Sequence, residues 1–211
     1  MMPPMQVAEG IYKVDGVRVA NVYLVLVEDG LLVVDSGMPG NAKRILAFVE
    51  RLGRQRREVH TIVLTHWHPD HMGSAAELRR LTGARIAIHE LDAPVLSGSQ
   101  RPQKGRLAMA VLYRLFRVRP VVPDLALHDG DTIHGFQVVH VPGHTAGSIA
   151  LRRDDGVVFS GDALLGDKRG RVLPPDPALS LDPAQAAASA EKIRALPFNL
   201  LLPGHGAPVS M

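Results

Sequence analysis

Six consecutive residues decide how this chain is read: His66-Trp67-His68-Pro69-Asp70-His71, set within residues 59–78, VHTIVLTHWHPDHMGSAAEL. Four of the six can ligate a metal, in a chain of 211 residues with ten histidines. Before them, HTIVLT is a short apolar run that reads as a buried strand. After them, GSAAELRRLTG reads as a helix that Gly83 closes. Side-chain direction repeats every two residues in an extended segment, so His66 and His68 point the same way. Asp70 and His71 open the following helix, and a tight turn can bring them to the other side of the same small volume. One hexapeptide can thus offer two ligands to each of two adjacent ions. A zinc ion takes about four ligands, so the remainder must come from elsewhere.

The chain supplies them in matching settings. Pro142-Gly143-His144-Thr145 follows the apolar run ending at Val141, Ser160-Gly161-Asp162 follows GVVF, and Pro203-Gly204-His205-Gly206 follows NLLL. Each candidate donor stands at the end of a buried strand beside a glycine, which lets backbones crowd together. An isolated His-x-His pair is usually structural or solvated. With Asp70, His71 and three strand-end donors added, the pattern reads as a metal site.

The rest of the chain builds outward from there. IYKVDGVRVANVYLVLVEDGLLVVDSG gives three or four β-rich runs broken at Asp15-Gly16 and Asp29-Gly30. NAKRILAFVERLG places Ile45, Leu46, Phe48, Val49 and Leu52 at helical spacing, and ARIAIHE is a further strand. In the second half FQVVHVPG, SIALRRDDG, GVVFSGD and FNLLLPGHG read as strands, and LDPAQAAASAEKIRAL as a helix with Asp182 at its N-cap. The halves share an order of elements without a sequence repeat. Two such halves, packed sheet to sheet with helices outside, give an α+β fold, a four-layer αββα sandwich, in one domain over residues 1–211. Residues 92–124 fit neither half. They are expected to form a helical cap insertion in which Met109, Tyr113 and Phe116 contact substrate, the plainer reading being one more core helix.

Composition narrows the classes. Apolar residues make up 46% of the chain and charged residues 21%, a globular mix. There is no cysteine, which excludes disulfides, thiolate zinc sites and a cysteine nucleophile. MMPPMQVAEG lacks the features of a secretory signal, and no segment approaches the roughly 18 apolar residues that span a bilayer. A cytoplasmic protein without a membrane partner is expected. The net charge of +3 is small and its cations are scattered, which does not argue for nucleic acid.

His66-x-His68-x-Asp70-His71, followed by His144, Asp162 and His205, resembles the metallo-β-lactamase fold superfamily of metallohydrolases, over nearly the whole chain from Tyr12 to Pro208. The resemblance implies the sandwich already reached, and it implies roles. His66, His68 and His144 would bind a first metal, and Asp70, His71 and His205 a second. Asp162 would bridge the two, and Asp35 in VVDSG would orient a ligand histidine. It further implies a hydrolase of esters, lactones or thioesters, in which a hydroxide shared by two divalent ions attacks a carbonyl and Asp70 also steadies the water. Zinc is the first choice of metal, with manganese, iron or cobalt fitting the same ligands. True β-lactamases of the superfamily generally lack the bridging aspartate, and glyoxalase II enzymes share the seven ligands but add a glutathione-holding helical domain. The substrate is expected to be a small acyl compound. The alternatives are phosphodiester or phosphotriester hydrolysis, and persulfide dioxygenation on one iron.

The remaining polar residues read more plainly. His60, His89, His128, His134 and His140 lie outside the ligand pattern and are expected at the surface or satisfied in the core. Trp67 is expected to pack beneath the metal loop. Lys168, with Arg169 and Arg171, belongs to a loop after Asp162 that is solvated by default, Lys168 being a candidate anchor for an anionic substrate group.

Overall fold

The computed structural model describes residues 4–101 and 118–211. The chain divides into two compact units. One comprises residues 1–64, 68–87 and 93–125; the other comprises 65–67, 88–92 and 126–211.

The first unit is built on a mixed sheet whose strands follow chain order, β1 to β7. β1 (Met5–Ala8), β2 (Ile11–Lys13), β3 (Tyr23–Val27) and β4 (Gly30–Val34) run antiparallel in succession. β5 (Val59–Val63) and β6 (Arg85–His89) then add in parallel to β4, and β7 (Leu125–Leu127) completes the order. The β2–β3 and β3–β4 connections contain the Asp-Gly signals, and the β1–β2 turn is Glu9-Gly10. The parallel steps need crossovers, which helices supply. α1 (Ala42–Arg51) joins β4 to β5 and buries Ala42, Ile45, Leu46, Phe48 and Val49, one helical stripe. α2 (Pro69–Met72) and α3 (Ala75–Thr82) join β5 to β6, and α3 ends at Gly83 in the left-handed conformation at φ +79°. All five residues of β4 are buried, as expected of an unbroken apolar strand covered on both faces.

The second unit carries a six-stranded sheet in the order β15-β14-β11-β10-β9-β8. β8 (Thr132–Ile133), β9 (Phe136–His140), β10 (Ile149–Arg152) and β11 (Val157–Gly161) are antiparallel neighbours; β14 (Leu200–Pro203) lies parallel to β11, and β15 (Val209–Ser210) closes the edge. A hairpin of β12 (Leu165–Gly166) and β13 (Val172–Leu173), then α5 (Pro183–Arg194), connect β11 to β14. Asp182 caps α5 as expected, its Oδ1 accepting from Gln185 N–H at 3.0 Å, and Pro183 begins the first turn. Ala190 and Ile193 of α5 pack on Val139, Val158 and Leu201 of the sheet.

Both sheets put polar residues at the carboxyl ends of buried strands: Asp35 after β4, the hexapeptide after β5, His144 after β9, Asp162 after β11 and His205 after β14. Residues 92–101 and 118–124 contain a short helix, α4 (Ala93–Leu96), and coil bonded back at Val121 N–H to Leu96 O and Asp124 N–H to Ile86 O. Met109, Tyr113 and Phe116, on which the cap expectation rests, lie outside the described residues.

Candidate metal centre

Asp35 follows β4 at φ +61°, a left-handed conformation that costs an L-residue about 1–2 kcal/mol and that aspartate tolerates better than most. Its N–H donates to Val63 O at 2.8 Å, and its Oδ2 lies 2.8 Å from Nδ1 of His71. Ser36 donates to His71 O through both its N–H (2.6 Å) and its hydroxyl (2.8 Å). His71 is therefore held at ring and carbonyl, and its Nε2 faces Asp70, 3.8 Å from Oδ2.

His66 has Nδ1 3.1 Å from Thr65 Oγ1, and its ring meets the His144 ring edge-on, centroids 4.7 Å apart. His144 occupies the turn between β9 and β10. Preceding it, Gly143 sits at φ +122°, and a Cβ there would fall 2.1 Å from Ala186 N of α5. No other residue fits. The close approach lets Leu181 N–H reach His144 O (3.1 Å) and Asp182 N–H reach Gly143 O (2.8 Å). Oδ2 of Asp162 stands 3.4 Å from His144 Nε2 and 3.3 Å from His205 Nε2. His205 O accepts from Gly166 N–H at 3.0 Å, which ties the β12–β13 hairpin to this residue.

The donor atoms fall into three groups, each within 4.8 Å: His66 with His68 and His144; Asp70 with His71 and His205; and Asp162 with His66 and His71. Five imidazoles and two carboxylates are a nitrogen-rich, borderline donor set, which suits zinc, iron or cobalt over calcium or magnesium. The chemistry of the residues thus fits a pair of divalent ions. His66, His68 and His144 are buried, whereas the side chains of Asp70 and His205 are 21% and 29% exposed, so solvent reaches the second group.

One residue of this neighbourhood escapes sequence reasoning. Asp92 is fully buried, accepting from Trp67 N–H (3.1 Å) and Thr145 hydroxyl (2.7 Å) at Oδ2 and from Gly147 N–H (2.7 Å) at Oδ1. Burial pushes its carboxyl up to about 6, although these three bonds pull the other way. Asp92 stands two residues after ARIAIHE, where the expected insertion begins, and its local sequence does not mark it as turned inward.

The other candidates separate cleanly. His60 and His128 are exposed, His60 beside Asp29 and His128 beside Glu90 and Asp131. His89 is buried and stacked on His140 at 4.1 Å; burial, then the His140 charge, pushes it down to about 4. Trp67 is buried and Tyr23 lies in the core. Lys168 is exposed at the hairpin tip, and Arg171 is drawn onto Asp167 by a 2.6 Å ion pair.

Residues 15–205 match the family described as the metallo-beta-lactamase superfamily, and the chain belongs to it. The α+β fold expected from the order of elements is the one it has, and its His/Asp cluster is of the kind with which that superfamily's hydrolases hold divalent metals. Among relatives, the chain is 29% identical to the probable metallo-hydrolase YflN of Bacillus subtilis, over 97% of this chain and 87% of that protein. It is 34% identical to the hydroxyacylglutathione hydrolase of Albidiferax ferrireducens over 83% of its length, spanning 57% of that enzyme. Among solved structures it resembles BJP-1, a subclass B3 metallo-β-lactamase of Bradyrhizobium japonicum (TM-score 0.73, 26% identity, 96% of this chain and 77% of that one). It also resembles TTHA1623 in a di-iron-bound form (TM-score 0.69, 29% identity, 98% and 93%). In the described residues no helix is long and apolar enough to cross a membrane.

Proposed function

We propose that the protein is a dinuclear metal-dependent hydrolase of carboxylic esters, lactones or thioesters. His66, His68 and His144 would hold the first ion and Asp70, His71 and His205 the second, with Asp162 shared between them. The observation that carries this reading is the position of Asp162 Oδ2, within 3.4 Å of a histidine nitrogen from each set. A carboxylate so placed offsets repulsion between two close cations. Zinc is the first choice; the di-iron-bound neighbour makes iron the second.

When bound, such a pair supplies Lewis acidity toward a carbonyl oxygen and a water acidic enough to ionise near neutral pH. The chain's own residues do the rest. Asp35 fixes the His71 ring through Nδ1 and leaves Nε2 as the ligating atom, and Thr65 acts likewise on His66. Asp70, the more exposed of the two carboxylates, would accept a hydrogen bond from that water and orient it. Acyl rather than phosphoryl substrates are favoured because Arg171 is already paired with Asp167, which reduces the cationic field that a phosphoester would need. The relative named for acylated glutathione hydrolysis supports a thioester or ester bond.

The test is a hydrolysis screen of zinc- and iron-loaded protein across acyl lactones, aryl esters, acylated thiols and phosphodiesters. Turnover at least tenfold higher on one of the carbonyl classes supports the proposal. Turnover confined to phosphodiesters, or oxygen consumption with a persulfide, overturns it.

A further inference from the structure

Three donors from two separate stretches of backbone converge on one buried carboxylate. Trp67, whose N–H bonds Asp92, stands between His66 and His68; Thr145, whose hydroxyl bonds the same oxygen, follows His144 directly. Gly147 N–H takes the other oxygen. Thr145 is tied further, its N–H donating to Ser148 Oγ at 3.0 Å and its hydroxyl lying 2.8 Å from that atom.

We propose that Asp92 is a positioning residue for the first ion: its carboxylate clamps residues 66–68 to the turn at 144–147, so that His66, His68 and His144 keep their ligand atoms converged. The inference rests on the reading of those three histidines as one ion's ligands. Asp92 touches no ligand side chain through these bonds and acts only through the backbone and hydroxyl beside them.

Two features argue for a demand specific to the carboxylate. All three partners donate, so both oxygens must accept; an amide would turn an NH2 toward one of them. The contact is also too close for any slack. A Cβ on Gly147 would lie 2.7 Å from Asp92 Cγ and 2.7 Å from its backbone N, so residue 147 is glycine because the carboxylate occupies that space. A group whose only duty was to fill the interior would be apolar, since burying a carboxylate is costly even when it is bonded.

The experiment measures zinc affinity by competition with a chromophoric chelator, and the visible spectrum of the cobalt-substituted protein. Wild type is compared with Asp92→Asn, Gly147→Ala, Thr145→Val, Thr145→Ser and, as control, His66→Ala. Partners that hold ligands in place are worth about 10–100-fold in metal affinity. Asp92→Asn, Gly147→Ala and Thr145→Val should each weaken one ion by tenfold or more and shift the cobalt bands. Thr145→Ser, which keeps the hydroxyl, should stay within threefold of wild type. A merely structural carboxylate would lower the melting temperature of metal-free protein but leave the affinity and spectrum of the folded fraction unchanged, and that result overturns the proposal. Should Asp92→Asn fail to fold, Gly147→Ala and Thr145→Val decide by the same criterion. Wild type that takes up no ion, or His66→Ala that takes up both, overturns the ligand assignment itself and the positioning role with it.

Discussion

Replacing Asp92 with Asn in metal-free protein should remove a defined part of the pH dependence of stability. The carboxyl sits at about 6 in the folded chain against 3.8 when exposed, because burial disfavours its charge more than three hydrogen bonds restore it. A raised folded-state pKa means that the native state prefers the neutral acid. Its contribution to stability is therefore complete below about pH 3.8 and is lost as pH rises through about 6. A difference of roughly two units, at about 1.4 kcal/mol each, makes the ionised carboxylate cost about 3 kcal/mol at neutral pH. The assay is urea unfolding in the presence of chelator, for both proteins, from pH 4 to pH 8. Subtracting the Asp92→Asn curve from the wild-type curve cancels the other titrating groups. The difference should fall by about 3 kcal/mol across that range, with wild type losing ground as pH rises. A pH-independent difference would show that Asp92 is not held as an ionisable buried group. It would leave no stability penalty for a functional role to explain.

Asp35→Ala should leave the chain folded but reduce affinity for one ion, and turnover, by about 10–100-fold, since Asp35 Oδ2 lies 2.8 Å from His71 Nδ1 and orients that ring; zinc competition and initial rates check this. His89 has the opposite linkage to Asp92. Its pKa is depressed to about 4, so its contribution is complete above about pH 6.5 and is lost as pH falls toward 4. His89→Gln should flatten the acid limb of the same urea profiles. Met109→Ala, Tyr113→Ala and Phe116→Ala, made singly, should change kcat/KM according to acyl-chain length while two ions stay bound. Uniform loss on every substrate would make residues 92–124 core instead of cap.

What could be read in the sequence was what lies close together along the chain. The hexapeptide joins a strand end to a helix start, so local periodicity gives His66 and His68 a common facing and puts Asp70 and His71 in the first turn of the helix. His144, Asp162 and His205 stand out as candidates because each follows an apolar run beside a glycine, and α5 lies too close to Gly143 for a side chain there. The cap at Asp182 needed only its neighbours three residues on. Asp92 was invisible because its partners stand 25, 53 and 55 residues away and donate mainly through backbone, which carries no residue-type signal. Nothing local says that an aspartate after ARIAIHE turns inward. The stacking of His89 on His140 was hidden for the same reason, as it joins two strand ends far apart in sequence.

The number of ions that turnover requires separates a dinuclear centre from a mononuclear one. Metal-free protein should be titrated with zinc while hydrolysis of the best carbonyl substrate from the screen is followed. In wild type, activity should rise to a plateau at about two equivalents per chain. In Asp162→Ala, zinc uptake should fall and the two-equivalent plateau should vanish. A plateau at one equivalent, or full activity with both ions retained in Asp162→Ala, would contradict the dinuclear reading.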